Sequence, residues 1–425
     1  MRIFTLPVGL AVGLVSLPRA YAWGAAGHEI VATIAQIHLS KPVLSLVCDI
    51  LHPSLNLATN PEDEAYPPCH LASIASWADK IRMRPEYRYT APLHYVNAVD
   101  DAPPHACPFP GTHGWQGRPT GNILAAIGNV THVLRDFVRG ERGAGDAEEA
   151  LKFLVHFMGD MHQPLHMSGR EKGGNGVRVA WNGRVTNLHS VWDGLLIAQA
   201  VRLTPRNYTY PLPGSEGAFV EPHLRGAIYD PYIRRIMHEG LSVGGKFDPE
   251  SDAWSDCPAP AAALESATDS LGAKGTVAYA LSLLGLGDSA RMEALLDLDF
   301  YGALGLTTRP GTENEWDDES VCPYAWARPI HDAELRPDSP CLPYDVVDFL
   351  DMTILDGEES AQKGEGAHAQ GGRPRHPELL ELDTPAYAGR LARGWVVERL
   401  LAMAGVRLAG VLTDIFADMA GDLQA

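Results

Sequence analysis

The sequence predicts a mainly α protein, a single helical domain with one small β-hairpin. Three observations predict it. Apolar residues recur at three- and four-residue intervals in several long stretches, which is the period of a helix face. Two-residue alternation stands out once, at Val177, Val179 and Trp181, and Asn182-Gly183 follows with the turn chemistry of a two-residue hairpin. Hydrophobic residues make up 45% of the chain, enough for a sizeable core.

Taken in order, the chain starts with Arg2, an apolar run from Ile3 to Leu17 and the small-x-small triplet Ala20-Tyr21-Ala22. This is the pattern of a secretory signal peptide over residues 1–22, and the mature chain is expected to begin at Trp23. The apolar run is too short and wrongly flanked for an anchor, and no later stretch reads as long enough to span a bilayer. Ile30, Ile34 and Ile37 mark one helix face, and residues 147 to 163 a second helix that stops near Pro164. Gly173-Gly174-Asn175-Gly176 makes the tight turn into the hairpin, and Val185 leads back from it. Val397, Leu401, Leu408, Leu412 and Ile415 mark a long amphipathic helix. Within a domain of residues 23–425, two stretches read as insertions. One is 258–320, Ala/Leu-rich and then Gly- and acid-rich; the other is 356–376, of low complexity.

Six cysteines, an even number in a chain read as exported, point to disulfides, and three bridges can be drawn 15 ways. Asn129-Val-Thr131 and Asn207-Tyr-Thr209 are N-glycosylation sequons. A formal charge of −19 argues against a broad basic face for duplex nucleic acid. It leaves room for a polyanionic substrate, because buried divalent ions can be the largest local positive charge in an acidic protein.

The chemistry concentrates in two fragments, His156-Phe-Met-Gly-Asp160-Met-His-Gln-Pro-Leu-His166 and His189-Ser-Val-Trp-Asp193. Each sets a His and an Asp four residues apart, one turn along the same face of a helix. Imidazole with carboxylate oxygen is a mixture that suits zinc. One such pair would mean little; two pairs with His166 make a candidate metal cluster. His162, at i+6 from His156, points elsewhere and is left out. His38, His113 and His132 have no motif around them, and His368 and His376 read as surface.

Further candidates lie upstream: Trp23-Gly-Ala-Ala-Gly-His28, Ser76-Trp-Ala-Asp79-Lys-Ile-Arg82 and Leu93-His94-Tyr95-Val96-Asn97. In this order the motifs resemble the S1/P1 nucleases, secreted zinc-dependent enzymes that cleave single-stranded DNA and RNA and act as 3′-nucleotidases. The resemblance is dense from Trp23 to Asp193 and returns at Cys322-Pro-Tyr-Ala-Trp326-Ala327 and in the last helix. It implies the mostly helical fold shared with zinc phospholipase C and three zinc ions. One would take the α-amine and carbonyl of Trp23 with His28 and Asp160. The second would take Asp79, His94, His156 and the shared Asp160, and the third His166, His189 and Asp193. Catalytic roles fall to Asp160, bridging two metals, and to Arg82, neutralising charge on phosphorus. Tyr95 becomes a platform for one base, with Asn97 and Asn175 as further substrate contacts. Asn97 departs from the Asp that better-studied members carry there, which leaves base preference open.

The resemblance also matches Cys107 to a position bridged to a late cysteine, Cys257 or Cys341. Cys48–Cys69 and Cys322–Cys341 are short loops that would leave Cys107–Cys257. The expected partners are single-stranded nucleic acid and 3′-nucleotides, with no membrane, and the chain is expected to act as a monomer. Two other readings compete: a phospholipase C-like phosphodiesterase, and a secreted zinc-binding protein that is not an enzyme.

Overall fold

The computed structural model describes residues 23–55, 67–97, 121–257, 317–331 and 379–422. The expected signal peptide, insertion residues 258–316 and 356–376, and Cys107, Cys341, His113, His368 and His376 lie outside them.

Helix α1 (Ala25–His38) buries Ile30, Ile34 and Ile37, as the spacing predicts. Helix α2 (Lys41–Leu55) follows, and a Cys48–Cys69 disulfide ties it to the stretch before a 3-10 turn at Leu71–Ser73. The short α3 (Trp77–Ile81) leads into a 3-10 segment, Pro85–His94. Helix α4 (Ile123–Val138) starts at Asn122, whose side-chain oxygen accepts from the Leu124 and Ala125 amides. Such a cap satisfies two donors that the first helical turn leaves unpaired. Helix α5 (Ala144–Met161) is buried along nearly all of its second half and ends just short of Pro164, where the proline predicts.

The hairpin forms as expected. Strands β1 (Arg178–Trp181) and β2 (Arg184–Asn187) pair antiparallel, with Trp181 opposite Arg184. Asn182 and Gly183 both take positive φ, at 50° and 69°. A two-residue turn of that twist requires this, and it explains the Asn-Gly pair. Val177, Val179 and Trp181 face inward, whereas Val185 is exposed.

After the hairpin, α6 (Leu188–Ser190) runs through a π-turn (Val191–Leu195) into α7 (Leu196–Leu203). Shorter helices follow: α8 (Gly214–Val220), α9 (Asp230–Arg235), α10 (Pro323–His331) and α11 (Ala388–Arg393). The chain closes with α12 (Val396–Asp422), whose predicted stripe Val397, Leu401, Leu408, Leu412 and Ile415 is buried. Helix α1 packs along α12, and α5 lies against α4 and α12. Truncating one of these core isoleucines or leucines to alanine costs about 2–5 kcal/mol.

Two expectations are corrected. By length and composition, α12 is apolar enough to cross a membrane, contrary to the sequence reading. Its apolar side chains serve the core instead: 72% of that window is buried within the fold. Cys257 is bonded to Cys322, which removes both Cys107–Cys257 and Cys322–Cys341. The fold brings the residues flanking 258–321 together, a proximity that loop length alone does not reveal.

Candidate metal centre

Four elements carry the first group of candidate ligands. Helix α5 presents His156 and Asp160 one turn apart, with His156 Nε2 3.1 Å from Asp160 Oδ2. Helix α1 lays the His28 ring over His156, with centroids 3.8 Å apart. That stack needs Gly159, because a Cβ there would lie 2.5 Å from His28 Nδ1. His28 Nε2 reaches Asp160 Oδ1 at 3.2 Å. The 3-10 segment ends at His94, whose Nδ1 lies 2.8 Å from Asp160 Oδ2 and 3.1 Å from His156 Nε2. Asp79, on α3, places Oδ1 3.8 Å from His156 Nε2 and 3.9 Å from His94 Nδ1.

The second group comprises His166, His189 and Asp193. His166 and His189 stack at 5.2 Å, and His189 Nε2 lies 3.3 Å from Asp193 Oδ2. The groups adjoin each other, since His166 Nδ1 is 3.7 Å from Asp160 Oδ1. His166 and the His94–Val96 segment are tied reciprocally: His166 Nδ1 donates to His94 O at 2.7 Å, and the Val96 amide donates to His166 O at 2.8 Å.

Donor atoms within 4.8 Å of one another fall into three sets: His28, Asp79, His156; His94, His156, Asp160; and His166, His189, Asp193. The last coincides with the predicted third zinc site, and the second is part of the predicted Asp79–His94–His156–Asp160 site. The first groups His28 with Asp79 and His156, whereas the resemblance implies His28 with Asp160. His28 is within reach of both carboxylate neighbourhoods.

Two features fit a metal. First, among the described residues the buried polar atoms without a hydrogen-bond partner include both His28 nitrogens, Asp79 Oδ1, His94 Nε2, Asp160 Oδ1 and Asp193 Oδ2. Burying a polar atom unpaired is costly, and so many together call for a cation. Second, three rings are oriented from behind. His156 Nδ1 donates to Ala75 O (2.7 Å), His166 Nδ1 to His94 O (2.7 Å) and His189 Nδ1 to Gly173 O (2.6 Å). Each bond leaves the Nε2 lone pair facing inward, as metal-ligating histidines require. The Gly173 carbonyl is set by a residue at φ 64°, where a side chain would be strained and its Cβ would lie 2.7 Å from Leu165 O.

The electrostatics follow from burial. It lowers His28, His94 and His189 and takes His166 down to about 3, so these imidazoles stay neutral and able to ligate. Burial also opposes charge on His156, but the Asp160 carboxylate outweighs it and raises that ring. Asp160, although buried, is held well below the usual carboxylate range by His156 and His28. Asp193 is pushed well above that range by burial, only partly relieved by the Gln163 amide.

The other predicted residues stand as follows. Arg82 Nη2 lies 3.2 Å from Asp79 Oδ1, and its charge is felt at His94, His189 and Asp193. Tyr95 follows directly on His94 and is 39% exposed, so its ring is available at the surface. Asn97 is half-buried. Asn175 donates its side-chain amide to Lys172 O at 3.0 Å, within its own turn. Trp23 is fully buried, and the next amide, Gly24 N, donates to Asp193 O at 2.6 Å. His162 turns away from the cluster and bonds Met158 O and Arg407.

Sequence reasoning missed Gln163. Its Nε2 donates to Asp193 Oδ1 at 2.6 Å, and its Oε1 accepts from Leu165 N, capping the turn that carries His166. The signal was its place between Asp160 and His166, just before Pro164.

The described residues thus define a mainly α protein with clustered imidazoles and carboxylates able to hold metal. Residues 23–217 match the family model for S1/P1 Nuclease. The chain is similar to Nuclease S1 of Aspergillus oryzae, at 35% identity over 44% of this chain and 58% of the relative. It is also similar to Nuclease P1 of Penicillium citrinum, at 37% over 40% and 57%, and to Endonuclease 2 of Arabidopsis thaliana, at 34% over 44% and 60%. The matched stretch covers less than two thirds of each of these relatives. This matched segment holds every candidate ligand.

Proposed function

We propose that the protein is a zinc-dependent phosphodiesterase that hydrolyses single-stranded DNA and RNA to 5′-phosphate products and also removes phosphate from 3′-nucleotides. The observation that carries this reading is the convergence of five imidazoles and three aspartates, many of their buried atoms without a hydrogen-bond partner. The same reading makes residues 1–22 a removed signal peptide, the enzyme an exported monomer, and residues 23–425 one domain with insertions at about 258–320 and 356–376.

Three zinc ions would be held by Trp23, His28 and Asp160; by Asp79, His94, His156 and Asp160; and by His166, His189 and Asp193. Bound zinc supplies Lewis-acid stabilisation of phosphoryl charge and a low-pKa water. Asp160 joins two sites, and its low pKa keeps it ionised for that task. Arg82, beside Asp79, stabilises negative charge that builds on the phosphoryl group. Tyr95 offers a face for one base, worth about 1–3 kcal/mol of stacking, with Asn97 as an edge contact and Asn175 as a contact to the phosphate. A single strand can splay a base onto that ring, and a duplex resists doing so. The Trp23 amine becomes a ligand only once residues 1–22 are gone, so export processing would complete the site.

The test is metal analysis of protein with a verified Trp23 terminus, beside assays on single-stranded DNA, RNA, duplex DNA, a 3′-nucleotide and detergent-dispersed phospholipid. We expect about three zinc ions per chain, turnover of the single strands and the 3′-nucleotide, and loss with chelator that zinc reverses. Phospholipid turnover alone, or no bound zinc, would overturn the reading. One extra residue before Trp23 should cost one zinc.

A further inference from the structure

Arg407 lies mid-way along α12, outside the segment that matches the family, and is 5% exposed. Among the described residues its hydrogen bonds go to Trp254 O at 2.7 Å, Trp326 O at 3.3 Å and His162 Nε2 at 2.9 Å, none of them a carboxylate. The guanidinium also sits 5.3 Å from the Trp326 ring centre. Burial, with Arg399 adding repulsion, brings it down to about 9. A buried cation with no counter-charge bonded to it among the described residues is expensive to keep, so the geometry it enforces is the thing to explain.

That geometry centres on His162. Its Nδ1–H donates to Met158 O at 2.7 Å, so Nε2 carries the lone pair that receives Arg407. The ring is thereby held from two sides, and its tautomer is fixed. His162 is the residue at which α5 ends, with φ −93° and ψ 6°. Asp160 stands two residues before it. Gln163, which orients Asp193 and caps the turn to His166, comes immediately after. A small rotation at His162 would therefore move the carboxylate shared within the first group and two ligands of the second.

We propose that Arg407 is a positioning residue for the metal centre: by holding His162, it sets the turn that presents Asp160, Gln163 and His166. The C-terminal helix, with the Trp254 and Trp326 segments, thereby becomes part of the site's support, although no ligand comes from it. This inference rests on the zinc reading of the site.

The experiment compares parent, Arg407→Met, Arg407→Lys, His162→Ala and the Arg407→Met/His162→Ala double variant. Zinc affinity is measured by competition with a chromophoric chelator, and thermal unfolding of each metal-free protein is recorded beside it. Arg407→Met should weaken zinc binding about 10–100-fold, the usual effect of losing such outer support. Its metal-free unfolding midpoint should hold or rise, because an apolar residue replaces a buried lone cation. Arg407→Lys should recover part of the affinity, and the double variant should bind zinc no worse than His162→Ala. The inference is overturned if Arg407→Met binds zinc like the parent, if the two losses add in full, or if affinity and metal-free midpoint fall together in both Arg407 variants. Should Arg407→Met not fold, Arg407→Lys and His162→Ala carry the same comparison. A parent that takes up no zinc overturns the site reading itself; a zinc-loaded parent matched by its variants overturns this inference alone.

Discussion

His156–Asp160 and His189–Asp193 make the same four-residue step, but their carboxylates live in opposite surroundings. Asp160 is met by His28, His94 and His156, which hold it ionised despite complete burial. Asp193 is met by a neutral amide and one imidazole, and burial prevails over them. Identical spacing on a helix therefore fixes which side chains are neighbours and leaves their charge state to elements from elsewhere in the chain. In the proposed zinc reading Asp160 would be the hub between two sites, and Asp193 would close one site at its edge.

The strongest way to break this contrast is to remove each carboxylate in turn. If the proposed function holds, Asp160→Asn should empty two of three zinc sites and lower turnover by at least about 10³-fold, the scale of losing major transition-state stabilisation. Zinc counting by mass spectrometry decides it, and a loss of only one zinc would end the hub description. Asp193→Asn should empty only the His166–His189–Asp193 site, with a smaller loss of about 10²-fold. An equal zinc loss in both variants would erase the distinction. A milder probe is Gln163→Leu, which keeps every ligand but releases Asp193. Zinc affinity at that one site should drop about 10–100-fold, read by chelator competition.

The smallest effect concerns the metal-free protein, and its sign differs between the two. Asp193 has a raised pKa in the fold, so its ionisation costs stability as pH climbs above its ordinary value of 3.8. Asp193→Asn removes that cost, and the metal-free variant should melt about 2 °C or more above the parent at pH 7. Asp160 has a lowered pKa, so its contribution is in place above 3.8 and fades as pH falls through the folded value. Asp160→Asn should lower the metal-free midpoint at pH 7. Unfolding scans in chelator from pH 4 to pH 8 give both answers, and shifts of the same sign would contradict the contrast.

Much of this was legible in the residues. The His-x3-Asp steps, the hairpin and the helix faces are local patterns, and local periodicity survives without knowledge of the fold. Gln163 and Arg407 were not legible, because their significance lies in partners, Asp193 and His162, that stand 30 and 245 residues away from them respectively. The late disulfide failed for the same reason: spacing favours short loops, but the fold decides which thiols meet. Helix α12 is longer and more apolar than the sequence reading allowed, since a helix surrounded by core is as apolar as one surrounded by lipid.

The Cys257–Cys322 bond has a consequence for how the molecule would survive a protease. A cut anywhere between those two residues would leave the ligand-bearing portion and the portion bearing α10 and α12 joined through sulfur. Such a nicked protein would run as one band on a denaturing gel and split into two fragments only when a thiol reductant is added.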